Sequence, residues 1–560
     1  MEQIESVQKK QRTVAFIVAR LNSSRLPAKQ FRKIGGKSII EWIVDSLRQS
    51  DKIDDIVITT VAAPENLPLR NFAEENDLSC FWYEGDVDHV TSRLSAAAKS
   101  FNAEICVLVS GDCPLIYAPA IDSLVCELQK YPDADYVSVE PDESGQVASQ
   151  EGVFVARQRA WRNADDLSDR PELKEHFFPI IFQRPDVFKA RKCFLQKDVY
   201  FAKHRFSVDT WADLEFMERI YSELYFLQGE SFELPNVVKL LRKKPQLMDI
   251  NSHVHQRALV EDIKQVLFVV DSGGRFGYGH LMRSMELALQ ITEWLSWPVT
   301  FLVDDEKAAQ LVEERGMRVV WGAWERRFDV PDCGCWERFD RSSMSCYSMV
   351  ILDIYWKRDL EANWRAEFLE VSVLVLNRHD SWALKADRIV IPEVCSAGEI
   401  GGKVKGGIDY IIIRREIRNA RSAGGGRNID MLAYLSRPEH RRTVRRYADL
   451  HGLSVKFVDG FRDDFPQQLA HSRFFISGFG YSFYEALYLG TIPVALPFSP
   501  EHRDAATFFY EKVGMSPLIV YSEGELQKIM EDAGEGTSQV SVEDGTKRIV
   551  DIVAELGFAQ

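Results

Sequence analysis

The sequence predicts an α/β protein in which largely parallel sheets are flanked by helices. Three stretches indicate this fold class, because in each a short apolar strand leads into a polar or glycine-rich loop and then into an amphipathic helix. They lie at residues 13–47, 266–289 and 474–495. This order is typical of parallel sheets, which bind ligands at the carboxyl ends of their strands.

Length and composition limit the classes of protein to which this chain can belong. A chain of 560 residues is too long for one core, so we expect two or three domains. The net charge of −15 argues against broad nucleic-acid binding. No apolar run reaches the roughly 18 residues of a membrane span, and the polar start lacks a signal peptide, which predicts a cytoplasmic protein. The nine cysteines are expected to be reduced.

The first half of the chain alternates strands and helices. This alternation predicts a parallel sheet with helices on both faces. The predicted strands are Thr13–Val18, 56–60 and 105–109, and the predicted helices are 39–47, 69–76 and 90–100.

The loop after the first strand has the composition of a triphosphate site. Its three cations can neutralise phosphate oxygens, and its small polar residues leave backbone amides accessible. A solvated basic loop is the simpler alternative. The residues concerned are Ala19, Arg20, Asn22, Ser23, Ser24, Arg25 and Lys29.

Two aspartates are candidate Mg²⁺ ligands. Asp112 leaves the strand at 105–109 beside Gly111, where a carboxylate points into the crevice of a parallel sheet. Asp209 is predicted to end a short strand, with Thr210 as the N-cap of the following helix. A capping or turn role for Asp209 is the alternative.

These motifs resemble the cytidylyltransferases that activate acidic sugars, most closely the spore-coat polysaccharide branch. ARLNSSRLPAKQFRKIGGKSIIEWIVDSL, GDCPLI, EHFFPIIFQRPDVF and SVDTWADLEFMERIY follow the family's motifs in the family's order, over nearly all of residues 12–250. Asn22 and Ser23 depart from the usual small residues, and Gly85–Leu94 matches only loosely.

The resemblance implies transfer of a cytidylyl group from CTP to a hydroxyl of an acid sugar, with release of pyrophosphate. It implies that Arg20, Arg25 and Lys29 hold the triphosphate and that Asp112 and Asp209 bind Mg²⁺. Two further roles are implied more loosely. Arg93 is expected to contact nucleotide, and His176 is expected either to contact the acceptor sugar or to be structural.

A polar stretch without periodicity separates the two halves of the chain. We therefore predict a first domain at residues 1–250, a linker at 251–263, and a second domain at 264–560 with lobes at about 264–410 and 411–560. His253 and His255 could be imagined as a metal pair, but a solvated linker is the preferred interpretation.

The second domain opens with a glycine-rich turn. The backbone of this turn, which includes Gly277 and Gly279, can approach a ligand closely, and the helix that follows favours an anion at its N-terminus. GGRFGYGHLMRSMELA resembles the signature GxGHxMRxxxLA of the UDP-sugar hydrolases of pseudaminic acid biosynthesis. That resemblance implies a catalytic His280 and a substrate contact at Tyr355, and Asp271 is a candidate to orient the histidine.

A second glycine-serine turn follows the strand near residue 474. The turn and helix start can bind a diphosphate and ribose through Ser477, Gly478, Gly480, Tyr481, Ser482 and Glu485. The segment resembles the UDP-binding segment of GT-B enzymes, and His502 is a weaker substrate candidate. Residues 377–379 read Asn-Arg-His where the hydrolases have paired aspartates.

The two resemblances together imply a Rossmann-like nucleotidyltransferase domain followed by a GT-B-like domain of two Rossmann-like lobes. The function implied is a bifunctional enzyme that makes CMP-activated nonulosonic-type acids and hydrolyses a UDP-sugar precursor. Separate pathway enzymes would act as partners, and a homodimer is possible. A UDP-sugar glycosyltransferase or a non-catalytic nucleotide-binding module remain alternatives for the second domain.

Overall fold

The chain divides into two compact units, Met1–Glu261 and Asp262–Gln560. The division falls inside the stretch that the sequence predicts as a linker. The computed structural model describes residues 11–23, 25–86, 88–168, 174, 178–255, 263–273, 278–303, 305–320, 347–354, 371–376, 383–393, 402–423, 426–460, 462–513, 518–520, 523–534 and 542–558.

The first unit is built on a seven-stranded sheet. In the order of the sheet, its strands are β10 (Ala190–Cys193), β7 (Tyr136–Val139), β9 (Val153–Arg157), β6 (Ile105–Ser110), β1 (Thr13–Val18), β4 (Asp55–Val61) and β5 (Ser79–Tyr83). Two small ribbons pair β2 (Lys33–Ile34) with β3 (Lys37–Ser38) and β8 (Val147–Ala148) with β11 (Tyr200–Phe201).

The sheet differs from the prediction in one strand. β9 runs antiparallel to β6 and to β7, whereas β1, β4, β5 and β6 are parallel as predicted. The predicted strands are therefore parallel, and β9, which the sequence did not predict, is the antiparallel strand of this sheet. Apolar strands of either direction carry the same burial pattern, so the sequence could not distinguish them.

Helices pack on the sheet of the first unit, as the alternation predicts. They are α1 (Ile39–Leu47), α2 (Leu67–Glu75), α3 (Val90–Ser100), α4 (Ala118–Lys130), α5 (Gln158–Leu167), α6 (Phe178–Gln183), α7 (Trp211–Ser222) and α8 (Leu234–Lys243). Two separate cores flank the sheet. Ile17, Ile40 and Val107 lie in one, and Phe16, Leu94 and Trp161 lie in the other.

The second unit contains two parallel sheets. The first has the order β14 (Arg318–Val320), β13 (Val299–Val303), β12 (Val266–Val270), β15 (Met349–Asp353), β16 (Ser372–Leu376), β17 (Arg388–Ile391) and β18 (Val404–Gly406). The second has the order β20 (Val455–Phe457), β19 (Ile429–Tyr434), β21 (Ser472–Ser477) and β22 (Ile492–Ala495). Every pairing among these strands is parallel.

The helices of the second unit are α9 (Gly279–Leu295), α10 (Glu306–Glu314), α11 (Arg415–Ala423), α12 (Pro438–His451), α13 (Phe465–Ala470), α14 (Ser482–Tyr488), α15 (Pro500–Val513), α16 (Glu523–Gly534) and α17 (Thr546–Phe558). The position of the last helix differs from the predicted lobe boundary. Ile549, Val550 and Val553 of α17 are buried in the core of the first sheet, together with Phe268 and Ile291. The chain therefore returns to the first lobe after completing the second.

Several predictions fall outside the described residues. They concern Ser24, His176, Gly277, Tyr355 and residues 377–379. Among the helices that are described, none combines the length and the apolar character that crossing a membrane requires.

Candidate functional site

One lysine joins the two aspartates that the sequence nominates in the first unit. Lys29 Nζ lies 2.5 Å from Asp112 Oδ2 and 2.5 Å from Asp209 Oδ1. The three residues are far apart in sequence, and each side chain is less than one-fifth exposed. The fold thus brings together a cation from the first loop and carboxylates from two other segments.

Asp112 is positioned by the close approach of two strand ends. It follows Gly111, whose backbone N–H donates to Val18 O at 2.9 Å. A Cβ at Gly111 would lie 2.8 Å from that same oxygen, so the strand ends can approach this closely only because the residue is glycine. Ser110 Oγ also donates to Asp112 Oδ1 at 2.6 Å, which fixes the carboxylate.

Asp209 is positioned by the start of α7. Thr210 caps this helix as predicted, and Asp213 completes a reciprocal capping box. Asp213 Oδ2 also accepts from the backbone N–H of Asp209 at 3.0 Å. The prediction that Asp209 ends a strand was wrong, since residues 202–209 belong to none of the sheets.

Three cations surround the carboxylate of Asp209. Besides Lys29, Arg25 contributes an N–O contact of 2.9 Å and Arg205 donates a hydrogen bond. Burial by itself would raise the pKa of Asp209, but these cations hold it well below its usual range. Burial would likewise lower the pKa of Lys29, and the two carboxylates raise it instead. The cluster therefore keeps Lys29 and Asp209 charged at neutral pH.

The other predicted residues of the first loop lie in different environments. Ala19 is buried and its N–H donates to Thr59 O at 3.2 Å, so this amide is engaged by the sheet and is not available to a phosphate. Asn22 is exposed. The side chain of Arg20 is 43% exposed and contacts Asp88 at 3.5 Å.

Arg93 is buried close to Arg20. Its side chain is 1% exposed, and its Nε and one terminal nitrogen find no hydrogen-bond partner in the described part of the chain. Burial, reinforced by the charge of Arg20, lowers the pKa of Arg93 to about 10. A buried guanidinium with unpaired donors favours an anionic ligand. The nucleotide contact of Arg93 stays a prediction.

A cavity of about 850 Å³ opens beside the cluster. Its wall includes Asp112, the consecutive residues Lys203, His204 and Arg205, and the turn residues Asn251, Ser252 and Val254. The last three belong to the stretch predicted as a solvated linker, so that prediction was wrong for residues 251–254. Sequence polarity alone could not reveal that the turn folds back onto the first unit.

The second unit holds a separate cluster around His280. This residue lies in the first turn of α9, and its Nδ1 is 2.6 Å from Asp353 Oδ1 at the end of β15. Arg283 and Ser284 also bind Asp353, with Arg283 Nε and Ser284 Oγ each 2.8 Å from Oδ2. Asp353 is fully buried, whereas the His280 side chain is 19% exposed.

The partner of His280 differs from the prediction. Asp271, the predicted orienting residue, is buried and donates its backbone N–H to Asp353 O at 3.2 Å, but the carboxylate at His280 Nδ1 is that of Asp353. Burial opposes ionisation of Asp353, yet Arg283 and His280 hold its pKa well below the usual range. The sequence does carry a signal for Asp353, because the apolar residues 349–352 precede it in the same way as the apolar strand Val266–Val270 precedes Asp271.

In the glycine-serine turn of the second sheet, two side chains that were predicted to bind a nucleotide contact other groups of the protein. Glu485 is 1% exposed and receives two hydrogen bonds from Arg414, at 2.5 and 2.8 Å. Tyr481 Oη accepts from the backbone N–H of Ile412 at 2.6 Å. Both groups predicted to bind a nucleotide are therefore engaged within the protein.

The other residues of this turn differ in their exposure and contacts. The hydroxyl of Ser477 is buried without a partner in the described part of the chain, and Ser482 is partly exposed. A Cβ at Gly480 or at Gly279 would meet open space, whereas one at Gly478 would lie 2.4 Å from the Phe498 ring. Gly478 therefore accommodates Phe498. His502 Nδ1 contacts Ser499 Oγ at 2.8 Å.

The first unit is an α/β sheet with a charged cluster at its strand ends, and folds of this class bind ligands at the carboxyl ends of their strands. Residues 14–232 match the family model described as cytidylyltransferase. An uncharacterized protein of Methanocaldococcus jannaschii is 31% identical over 255 residues, which cover 44% of this chain and 98% of the relative. Through its first unit the chain belongs to the cytidylyltransferase family.

Other relatives match a shorter part of the chain. The 3-deoxy-manno-octulosonate cytidylyltransferases of Acidobacterium capsulatum and Chlamydia pneumoniae are 28% and 29% identical over 117 and 127 residues. These matches cover 21% and 22% of this chain, and the chain spans about half the length of these two relatives, 46% and 48%. A cytidylyltransferase structure from Leptospira borgpetersenii is 23% identical with a TM-score of 0.38, covering 42% of this chain and 97% of that one.

Proposed function

We propose that the first unit transfers the cytidylyl group of CTP to a hydroxyl of a sugar acid, giving a CMP-sugar and pyrophosphate. The observation that carries this proposal is the convergence of Lys29, Asp112 and Asp209 beside a cavity of about 850 Å³. The family assignment supports the transfer. Two of the relatives are 3-deoxy-manno-octulosonate cytidylyltransferases, which supports an acid sugar as the acceptor.

The reaction needs no covalent enzyme intermediate. The acceptor hydroxyl oxygen attacks the α-phosphorus and loses its proton to water, the bond from that phosphorus to the bridging oxygen breaks, and pyrophosphate leaves with the bonding electrons. The protein must align these atoms and stabilise the charge that moves to the leaving group. Lys29 and Arg25 carry fixed positive charge at the cluster, and Arg93 offers unpaired donors deeper in the fold.

Magnesium fits the donors present in the cluster. Two carboxylates, Asp112 and Asp209, contact one ammonium group and therefore lie close enough together to share a cation. No described group of three or more His, Cys, Asp or Glu side chains surrounds a point, so water and phosphate oxygens would complete the ligands, as Mg²⁺ prefers. When bound, the ion would neutralise phosphate charge.

The direct test measures pyrophosphate release from CTP with a panel of sugar acids, including 3-deoxy-manno-octulosonate and N-acetylneuraminate. We expect turnover by the wild type and none by Asp112→Ala, with the variant's thermal unfolding retained. Asp122→Ala, on α4, serves as a control at another aspartate of the same unit. Undiminished turnover by Asp112→Ala would refute the role of the cluster.

We further propose that the second unit hydrolyses a UDP-sugar, with GT-B-like architecture. The observation in favour is the His280–Asp353 pair at the carboxyl end of a parallel sheet. In the tautomer whose Nδ1–H donates to Asp353, the imidazole presents Nε2 as a proton acceptor. Water that loses its proton to Nε2 would attack the anomeric carbon, and UDP would leave with the electrons of the broken C–O bond.

This second activity is tested by supplying UDP-N-acetylglucosamine and related UDP-sugars and measuring free UDP and free sugar. We expect His280→Ala to abolish the release, while His451→Ala, at an exposed histidine that ends α12, leaves it unchanged. Sugar transfer only in the presence of an acceptor would favour a glycosyltransferase. Turnover that His280→Ala leaves intact would favour a non-catalytic module at this site.

A further inference from the structure

The cavity of the first unit is lined by an unusual run of three basic residues. Lys203, His204 and Arg205 are consecutive and all contribute to its wall. The run is anchored just after its end, because Glu151 accepts hydrogen bonds from the backbone N–H groups of Phe206 and Ser207 at 3.0 and 2.9 Å. The position of these basic side chains at the cavity is therefore set by the backbone.

Two of the three basic side chains already contact other groups of the protein. Arg205 is paired with Asp209 and approaches Asp213 Oδ1 at 3.3 Å. The ring of His204 lies edge-on to Phe216 with centroids 4.9 Å apart, and burial lowers the pKa of His204, which keeps it neutral near pH 7. Neither group offers a free positive charge to a ligand.

Lys203 is the exception. Its side chain is exposed at the cavity, and no described residue forms an ion pair or a hydrogen bond with it. The same wall carries the carboxylates of Asp112 and Glu151. Asp112 is already paired with Lys29, so Lys203 is the cation of this wall that no described carboxylate neutralises, and it is in position to bind the charge of an anionic ligand.

The turn Asn251–Val254 contributes the other side of the wall. Asn251 is 2% exposed, and its Nδ2 donates to Asp213 Oδ1 at 3.0 Å, which ties the turn to the helix start that holds Asp209. Ser149 Oγ is a wall oxygen that has no hydrogen-bond partner in the described part of the chain. Such an oxygen favours a ligand that carries hydroxyl groups.

We propose that Lys203 binds the carboxylate of the acceptor sugar acid, in a subsite that the turn Asn251–Val254 completes. This inference rests on the proposed cytidylyl transfer to a sugar acid. The turn lies beyond residues 14–232, the part that matches the family model.

The test compares wild type, Lys203→Met and Lys203→Arg, with Lys197→Met as the matched control. Lys197 is exposed in the same segment and is absent from the cavity wall. Binding of 3-deoxy-manno-octulosonate, N-acetylneuraminate and CTP is measured by calorimetry, and KM values are measured where turnover occurs. We expect Lys203→Met to weaken acid binding about tenfold to a hundredfold, as loss of a charge-assisted hydrogen bond predicts.

CTP affinity and the control variant should stay unchanged, and Lys203→Arg should retain part of the acid affinity. Asn251→Ala should raise the KM for the acid with little change in kcat. Equal acid affinity of wild type and Lys203→Met overturns the inference, as does a wild type that binds CTP but neither acid. If binding of the acid depends on Lys203 but no pyrophosphate is released, the carboxylate subsite is supported and the proposed transfer is rejected.

Discussion

The Asp353 carboxylate faces the His280 imidazole across 2.6 Å, from Oδ1 to Nδ1. Because Asp353 is fully buried, this carboxylate can orient the ring without competition from water. We expect Asp353→Asn to lower kcat for the proposed UDP-sugar hydrolysis by at least about tenfold, since an amide no longer fixes the productive tautomer. Steady-state release of UDP provides the measurement, and an unchanged kcat would contradict the orienting role.

The same pair predicts a pH dependence of stability. The pKa of Asp353 is depressed in the folded protein, so its stabilisation is fully present above the ordinary carboxyl pKa of about 3.9 and is lost as the pH falls below that value. Asp353→Asn lacks this contribution at every pH. The difference in thermal unfolding temperature between wild type and variant should therefore narrow from pH 6 to pH 3. A constant difference would argue against an ionised Asp353.

Lys29 should be required for the proposed cytidylyl transfer. It is the cation that contacts both Asp112 and Asp209, and removal of a preorganised charge of this kind costs about a hundredfold in rate. We expect Lys29→Met to lower kcat/KM for CTP by at least that factor. Lys33→Met, at an exposed lysine four residues along, is the control. An equal loss of kcat/KM in Lys29→Met and Lys33→Met would indicate a general effect of charge.

The Arg414–Glu485 pair should be structural. Both side chains are largely buried, and the two hydrogen bonds between them join the segment before α11 to α14. Arg414→Leu leaves a buried carboxylate without its partner, and we expect a loss of about 3–5 kcal/mol in the free energy of unfolding. The double variant with Glu485→Leu should recover most of it. Denaturant titration measures both, and a loss below about 1 kcal/mol for Arg414→Leu would contradict the assignment.

The sequence by itself determined most of the local structure. The apolar runs at Thr13–Val18, Val266–Val270 and Val299–Val303 are strands with the predicted bounds, and Thr210 caps α7. It also nominated Lys29, Asp112 and Asp209, because charged residues that follow buried strands or precede helices stand out against their surroundings. These signals are local and depend only on neighbouring residues.

The tertiary structure decided which distant residues meet. Asp353 replaces Asp271 as the partner of His280, Arg414 engages Glu485, and the turn at Asn251 joins the cavity wall. The last helix returns to the first sheet of the second unit. Each of these contacts joins residues far apart in the chain, and the pairing depends on strand order and packing, which the hydrophobic pattern of a single segment does not encode.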